Sequence, residues 1–293
     1  MRVLLATDGS KDSRAAAAYL KELPLPPSTV RIVAVVSLPV FASNVAAAPE
    51  LKRAVLDRAQ AVVEEIRRGL SARGFTVETD VAMGDPRAEI VRQAGDWRAD
   101  LIVLGARGLG AVKRFLLGSV SDAVARHAHC SVLVVKGRRT ALRSVLVAVD
   151  GSEDSFQAVR FLQSLALPRQ TRVRLLSVVE RLRYPSTAPQ ALHAQLVQML
   201  KEAEAERRGE LDRVLERAAA LLDDKITRVT RYTPTGDPGE EIVATADDFD
   251  SDLVVVGARG LGRMARVLLG SVSQKVLHHA RCPVLIVKER PKA

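Results

Sequence analysis

Twice in this 293-residue chain a short apolar run ends in a glycine-rich segment, whose second glycine is followed, after nine intervening residues, by a glycine–serine pair. The first copy reads Gly105-Ala106-Arg107-Gly108-Leu109-Gly110 and then Gly118-Ser119-Val120-Ser121; the second reads Gly257-Ala258-Arg259-Gly260-Leu261-Gly262 and then Gly270-Ser271-Val272-Ser273. Both fit G-x2-G-x9-G-S, and the chemistry on offer is anion binding. Lacking a β-carbon, Gly105 is expected to let a ligand lie against the end of a strand. Gly108 and Gly110 can take positive φ, so that successive amides turn toward one anion. Gly118 and Ser119 then present unpaired amides and a hydroxyl at a helix N-terminus, where the dipole favours negative charge. Such groups suit a polyphosphate. The competing reading is that the glycines make tight turns and Ser119 caps its helix. Recurrence of the spacing, with an arginine inside each loop, weighs for the anion site. Neither a Walker A motif nor G-x-G-x-x-G is present, which disfavours an ordinary P-loop enzyme or a dinucleotide dehydrogenase.

Asp8 and Asp150 follow the first apolar run of each half. Their carboxylates could accept hydrogen bonds from a ribose or base, reach a metal on the phosphates, or organise the Asp-Gly-Ser turn that follows. These roles are compatible. Other candidates are weaker. His127-Ala128-His129-Cys130 resembles a metal cluster, but its counterpart His279-Ala280-Arg281-Cys282 replaces one ligand with a cation, so no metal site is assigned. Cys130 and Cys282 are expected to fill small buried gaps. Trp97 matches Phe249 and reads as core packing. Lys113, Arg114, Arg263 and Arg266 could flank phosphates or form a solvated loop face, and His193 has no counterpart. There is no nucleophile elbow, kinase motif set or H-E-x-x-H, so no catalytic residue is assigned and slow hydrolysis at most is expected.

The elements that must position these groups are written twice. Val3-Leu4-Leu5-Ala6-Thr7-Asp8-Gly9-Ser10 returns as Val145-Leu146-Val147-Ala148-Val149-Asp150-Gly151-Ser152, an offset of 142. Gly84-Asp85-Pro86 returns as Gly236-Asp237-Pro238, an offset of 152, and between Leu101–Lys136 and Leu253–Lys288 there are 23 identities in 36 positions. The second copy thus carries ten extra residues between its first strand and Gly236, assigned to a longer helical stretch over Leu192–Leu222 and the loop before it. A period near 150 means two domains, 1–138 and 143–293. In each, short β-branched runs such as Val3–Thr7 and Val30–Val36 alternate with helical patterns: Ser13–Leu23 with Ser10 or Asp12 as N-cap, Leu51–Leu70 stopped at Gly74, Ala88–Trp97 and Ser119–His127. Strand alternating with helix implies two tandem doubly wound α/β domains, each with a parallel sheet and helices on both faces. In such a sheet ligands bind at the carboxyl ends of the strands.

Composition narrows the class. Hydrophobic residues are 47% and charged residues 27%, as in ordinary globular chains, and aromatics are only 3%, which disfavours stacking-based single-strand binders. Two cysteines make no disulfide framework, so a reducing cytoplasm is expected. No signal-peptide core or membrane-length apolar run is read. The formal charge of +10 is scattered, and a solvated surface is the simpler reading than a nucleic-acid face.

Together, the strand-Asp-Gly-Ser start, the central Gly-Asp-Pro and the late G-x2-G-x9-G-S resemble the universal stress protein family in its tandem form, across essentially all of both halves. The late motif resembles the ATP-binding branch. The resemblance implies five parallel strands per domain in the order 3-2-1-4-5, ATP across the strand ends with Mg²⁺ or Mn²⁺ on its phosphates, and dimer-like pairing through the last strands, either between the repeats or with a second chain. By motif, the adenosine end would meet Ala6, Asp8 and Val35, and the ribose and phosphates Gly105, Arg107, Gly108, Gly118, Ser119, Val120 and Ser121. The matching positions are Ala148, Asp150 and Val178, then Gly257, Arg259, Gly260, Gly270, Ser271, Val272 and Ser273. Strand two slips by one residue between the copies at Val35 and Val178, and the insertion is expected to reshape the mouth of the second site. The function implied is ATP binding in one or both domains with nucleotide-dependent regulation in a stress response, the alternatives being a slow ATPase or a binder of cAMP or a cyclic dinucleotide.

Overall fold

The computed structural model describes residues 1–37, 48–109, 117–137, 142–181, 193–222, 226, 228–261 and 269–289. The first half runs β1 (Arg2–Thr7), α1 (Lys11–Glu22), β2 (Thr29–Val36), α2 (Ala48–Ser71), β3 (Thr76–Met83), α3 (Pro86–Asp96), β4 (Leu101–Gly105), α4 (Ser119–His127) and β5 (Ser131–Val135). The second runs β6 (Ser144–Ala148), α5 (Glu153–Ser164), β7 (Arg172–Leu176), β8 (Val179–Glu180), α6 (His193–Ala220), β9 (Arg228–Tyr232), β10 (Thr235–Gly236), α7 (Pro238–Asp248), β11 (Leu253–Gly257), α8 (Ser271–His279) and β12 (Val284–Val287).

Ten of the strands form one sheet in the order β3-β2-β1-β4-β5-β12-β11-β6-β7-β9. Within each half neighbours are parallel in the order 3-2-1-4-5. At the centre β5 and β12 are antiparallel, with Leu133 opposite Leu285. The inner strands are apolar throughout because both faces are covered. Val3, Leu5 and Val103 face the layer made by α1 and α2, while Leu4, Ile102 and Val132 face the layer made by α3 and α4. The second half repeats the division with α5 and α6 on one face and α7 and α8 on the other. Leu4, Leu5, Ile102 and Leu146 are wholly buried, each worth about 1.5–3 kcal/mol.

Local signals start the helices where the sequence places them. Ser10, not Asp12, is the N-cap of α1: its Oγ accepts from Ser13 N at 3.2 Å, and Ser152 caps α5 the same way. The Asp-Gly-Ser turn needs its glycine, since Gly9 (φ +75°) and Gly151 (φ +91°) lie in the left-handed region. In the Gly-Asp-Pro motif, Asp85 caps α3 and Asp237 caps α7, each followed by a proline whose missing N–H costs nothing there. Among the described residues no helix is long and apolar enough to cross a membrane. Cys130 and Cys282 are buried free thiols, as small core fillers should be.

Candidate functional site

At the carboxyl ends of the strands each half opens a cleft. The first, about 710 Å³, is bounded by the ends of β1, β2 and β4, the glycine loop and the start of α4. Ala6, Asp8, Val35, Gly105, Arg107, Gly108, Gly118, Ser119, Val120 and Ser121 all line it. The second, about 570 Å³, is lined by Ala148, Asp150, Val178, Gly257, Arg259, Gly260, Gly270, Ser271, Val272 and Ser273. Val35 and Val178 are equivalent despite the one-residue slip, because Ala6 pairs with Val33 and Ala148 with Leu176, two residues before each valine. Gly110, Gly262, Lys113, Arg114, Arg263 and Arg266 lie outside the described residues.

The glycines are in the expected place for reasons other than those expected. A β-carbon on Gly105 would run into the backbone of Asp12 and Ser13 at the start of α1; one on Gly257 would sit 2.7 Å from Asp154 C and 2.9 Å from Ser155 N of α5. The space left empty is filled by helix, not ligand. Gly108 is not among the glycines with positive φ; a β-carbon there would sit 2.6 Å from Asp8 Oδ2, and one on Gly260 would sit 2.5 Å from Asp150 Oδ2. These glycines admit a carboxylate.

That carboxylate holds the loop. Asp8 Oδ1 accepts from Ser10 N (3.0 Å) and Oδ2 from Leu109 N (2.9 Å). Asp150 repeats this with Ser152 N (2.9 Å) and Leu261 N (3.0 Å), and also accepts from Ser152 Oγ (2.6 Å). The aspartates therefore organise the Asp-Gly-Ser turn and tie the glycine loop to it, so the Leu109 and Leu261 amides point at protein and not at an anion. Arg107 Nε donates to Asp12 (3.0 Å), and Arg259 gives both N and Nε to Asp154 (3.1 Å each).

The helix starts differ. Gly118 and Gly270 are the N-caps and supply no capping side chain, so Ser119 is the first helical residue and not the cap. The first-turn amides of α4 and α8 have no intrahelical partner and open onto the clefts, with the exposed Ser119 and Ser271 hydroxyls beside them. Ser121 and Ser273 point inward: Ser121 Oγ donates to Ala106 O (2.7 Å) and Ser273 Oγ to Gly257 O (2.6 Å), bracing each loop. Gly118 N also donates to Ala106 O (2.8 Å), while Ala106 N reaches Val135 O (2.9 Å).

Residues not singled out from sequence complete the walls. Pro86 and Ile90 of α3 face the first cleft, Pro238 and Ile242 of α7 the second; their signal was the Gly-Asp-Pro motif with an apolar residue one helical turn on. Arg87 holds the Asp85 carboxyl below its ordinary range, and Lys275 of α8 does so for Asp237 at 2.9 Å. In the second cleft Ala203, Glu204 and Arg207 of α6 stand at the wall with Glu180 of β8. Trp97 and Phe249 lie away from the clefts; they pack at the core margin, with Arg31 4.6 Å above Trp97 and Arg174 4.2 Å above Phe249. No group of three metal-ligating side chains occurs among the described residues.

A universal stress protein family model matches residues 1–136 and again 141–288. The chain belongs to the universal stress protein family, in tandem form. Two mycobacterial universal stress proteins are similar along most of its length. One, of Mycobacterium tuberculosis, is 31% identical over 245 residues, 81% of this chain and 76% of its own. The other, of Mycolicibacterium smegmatis, is 28% identical over 302 residues, 98% and 97%. In fold, the crystal structure of a universal stress protein from Archaeoglobus fulgidus superposes with a TM-score of 0.66 at 21% identity, covering 99% of this chain and 96% of its own. The tandem domains and the doubly wound architecture are thus shared with family members across the whole chain.

Proposed function

We propose that both clefts bind ATP, with Mg²⁺ or Mn²⁺ carried on its phosphates, and that this tandem universal stress protein is a cytoplasmic, nucleotide-dependent regulator and not a turnover enzyme. The observation that carries this reading is the uncapped first turn of α4 and of α8, each opening into a cleft of 710 or 570 Å³. Such a helix start is a ready anion site, and the clefts have the volume of small-molecule pockets. Above it, Ala6 and Val35, or Ala148 and Val178, offer apolar wall for a base. Because no three-ligand protein cluster is described, the cation would be held chiefly by phosphate oxygens and water, as Mg²⁺ commonly is.

Binding without rapid hydrolysis is supported by the aspartates. Each oxygen of Asp8 and of Asp150 accepts a backbone amide, which fixes the carboxylate in the glycine loop as a structural group. The two buried free thiols fit a reducing compartment. The test is mass spectrometry of small molecules released from purified, denatured protein, followed by calorimetric titration with Mg-ATP and competition by cAMP and cyclic dinucleotides. ATP or ADP near two equivalents is the expected result. No nucleotide, with no heat on titration, overturns the reading; displacement by a cyclic nucleotide at lower concentration than ATP reassigns the ligand.

A further inference from the structure

The far ends of α4 and α8 are held by lysines from the opposite half of the chain. Lys136, next after β5, is 5% exposed, and its Nζ donates to Leu277 O (2.5 Å) and Ala280 O (2.7 Å) at the C-terminal end of α8. Lys288, next after β12, donates from Nζ to Arg126 O (3.1 Å) and Ala128 O (2.7 Å) at the end of α4. The two contacts are reciprocal across the antiparallel β5–β12 seam. An ammonium on the last carbonyls satisfies groups that a helix leaves open and complements its dipole.

Each lysine is also one residue from a glycine loop. Val135 O accepts from Ala106 N (2.9 Å), and Val287 O accepts from Ala258 N (2.8 Å). Ala106 O in turn takes Gly118 N (2.8 Å), and Ala258 O takes Gly270 N (2.7 Å), where the two nucleotide helices begin. The connections close into a ring. From the first cleft they run through Ala106, Val135 and Lys136 to the end of α8, and α8 begins in the second cleft. From there they return through Ala258, Val287 and Lys288 to the end of α4, which begins in the first cleft. Both helices are nine residues long and packed on the sheet through Val124 and Ala125 or Val276 and Leu277. A close-packed helix transmits an axial shift at one end to the other.

We propose that Lys136 and Lys288 are positioning residues, each setting the helix start in the other half's cleft, so that the two clefts bind as a coupled pair. The proposal rests on the reading that each helix start receives nucleotide. Burial pushes both ammoniums down to about 8, with Cys282 pulling Lys136 and Cys130 pulling Lys288 the other way. Lys136 is buried and Lys288 half-buried, and each makes two carbonyl contacts, so the clamp is not a loose surface contact.

The test is hydrogen exchange of residues 117–125 and 269–277 during titration with Mg-AMP-PNP, a nucleotide that is not turned over. Wild-type protein should gain protection at both helix starts. Lys136→Met should raise the concentration that protects 269–277 by about tenfold and, because coupling is reciprocal, raise that for 117–125 by a smaller factor; Lys288→Met should do the reverse. A lysine that only anchors the far helix end would quicken exchange at that end without changing the nucleotide concentration that protects the helix start. Protection at both sites with each change acting at home, on both clefts equally, or nowhere overturns the coupling, whereas no protection in the wild type overturns the nucleotide reading instead. Lys136→Gln, which keeps one donor, serves if the methionine variant loses its native melt. If both lose it, Gly260→Val, whose β-carbon would meet Asp150 Oδ2, is expected to block the second cleft, and nucleotide in the first cleft alone should then slow exchange at 277–280. No slowing there also overturns the coupling.

Discussion

Replacing Gly257 by alanine separates the two explanations of a glycine at the end of β11. The new β-carbon would lie 2.7 Å from Asp154 C, 2.8 Å from Asp154 O and 2.9 Å from Ser155 N, against an ordinary contact beginning near 3.4 Å. The start of α5 must therefore withdraw by about 0.7 Å, and backbone cannot rotate aside as a side chain would. Withdrawal disturbs Phe156, Ala158 and Val159, all buried on α5, and stretches the Asp154 carboxylate away from Arg259 N and Nε. Overpacking of this size costs about 1–3 kcal/mol. For a chain of this length that lowers the melting midpoint by about 2–5 °C. The assay is scanning calorimetry without nucleotide, paired with titration of Mg-ATP. A large fall in the melt before any nucleotide is added is expected, with the same effect from Gly105→Ala in the first half. A variant that melts within a degree of wild type yet loses ATP affinity would show that the missing side chain makes room for ligand, and the packing argument would fail.

The two serines of each helix start should part company. Ser119→Ala and Ser271→Ala, at exposed hydroxyls beside the cleft, are expected to leave the melt unchanged and weaken ATP binding; Ser121→Ala and Ser273→Ala should cost about 1 kcal/mol of stability, read by urea unfolding, because each removes a buried donor to a loop carbonyl. Asp8→Asn leaves one acceptor for the two amides of Ser10 and Leu109, so exchange at Leu109 should quicken in nucleotide-free protein; an unchanged rate would mean the carboxylate does not hold the loop. Stability should rise from pH 7.5 to 9. Folding lowers Lys136 and Lys288 from 10.5 to about 8, so in this window the folded chain has released protons that the unfolded chain keeps. Cys130, raised from 9.0 to about 11, opposes them from pH 9 upward, because there the unfolded thiol ionises first. Together these groups predict a gain of about 2 kcal/mol by pH 9 in urea unfolding, and a fall over the same range would contradict it.

Much of this was legible in the residues. Strand alternating with helix, continuous apolar runs and the 23 matched positions between the halves are local signals that survive folding, so the doubly wound repeat could be read directly. The Ser10 and Asp85 caps and the proline after Asp85 were equally local. What sequence does not carry is direction. It records that Gly105 and Gly108 lack side chains, but not that α1 fills one space and Asp8 the other. Ser119 and Ser121 differ only by position in the chain, yet the step of about 200° between them around α4 turns one to the cleft and the other to Ala106 O. Lys136 and Lys288 look like ordinary strand-end lysines, and only the β5–β12 seam reveals that each belongs to the opposite half's helix.

The glycine motif therefore acts first on the protein itself. Gly105 admits α1, Gly108 admits the Asp8 carboxylate, and Gly118 lets Ala106 O approach to 3.2 Å of where its β-carbon would be. Each fold-back uses up a polar group: Leu109 N on Asp8, Ala106 O on Gly118 N and on Ser121 Oγ, and Ala106 N on Val135 O. The first helical turn is what remains unpaired, so a loop built for packing delivers an anion site as its consequence. Gly257, Gly260 and Gly270 repeat the three close approaches, although Ser273 Oγ braces Gly257 O where Ser121 Oγ braces Ala106 O. The walls are under no such constraint. In the second cleft α6 brings Glu204 and Arg207 to the wall, whereas the described wall of the first has no counterpart from α2. That wall is a described difference between the halves, and exchanging Glu204 for glutamine or Arg207 for methionine should alter the ligand preference of the second cleft more than that of the first.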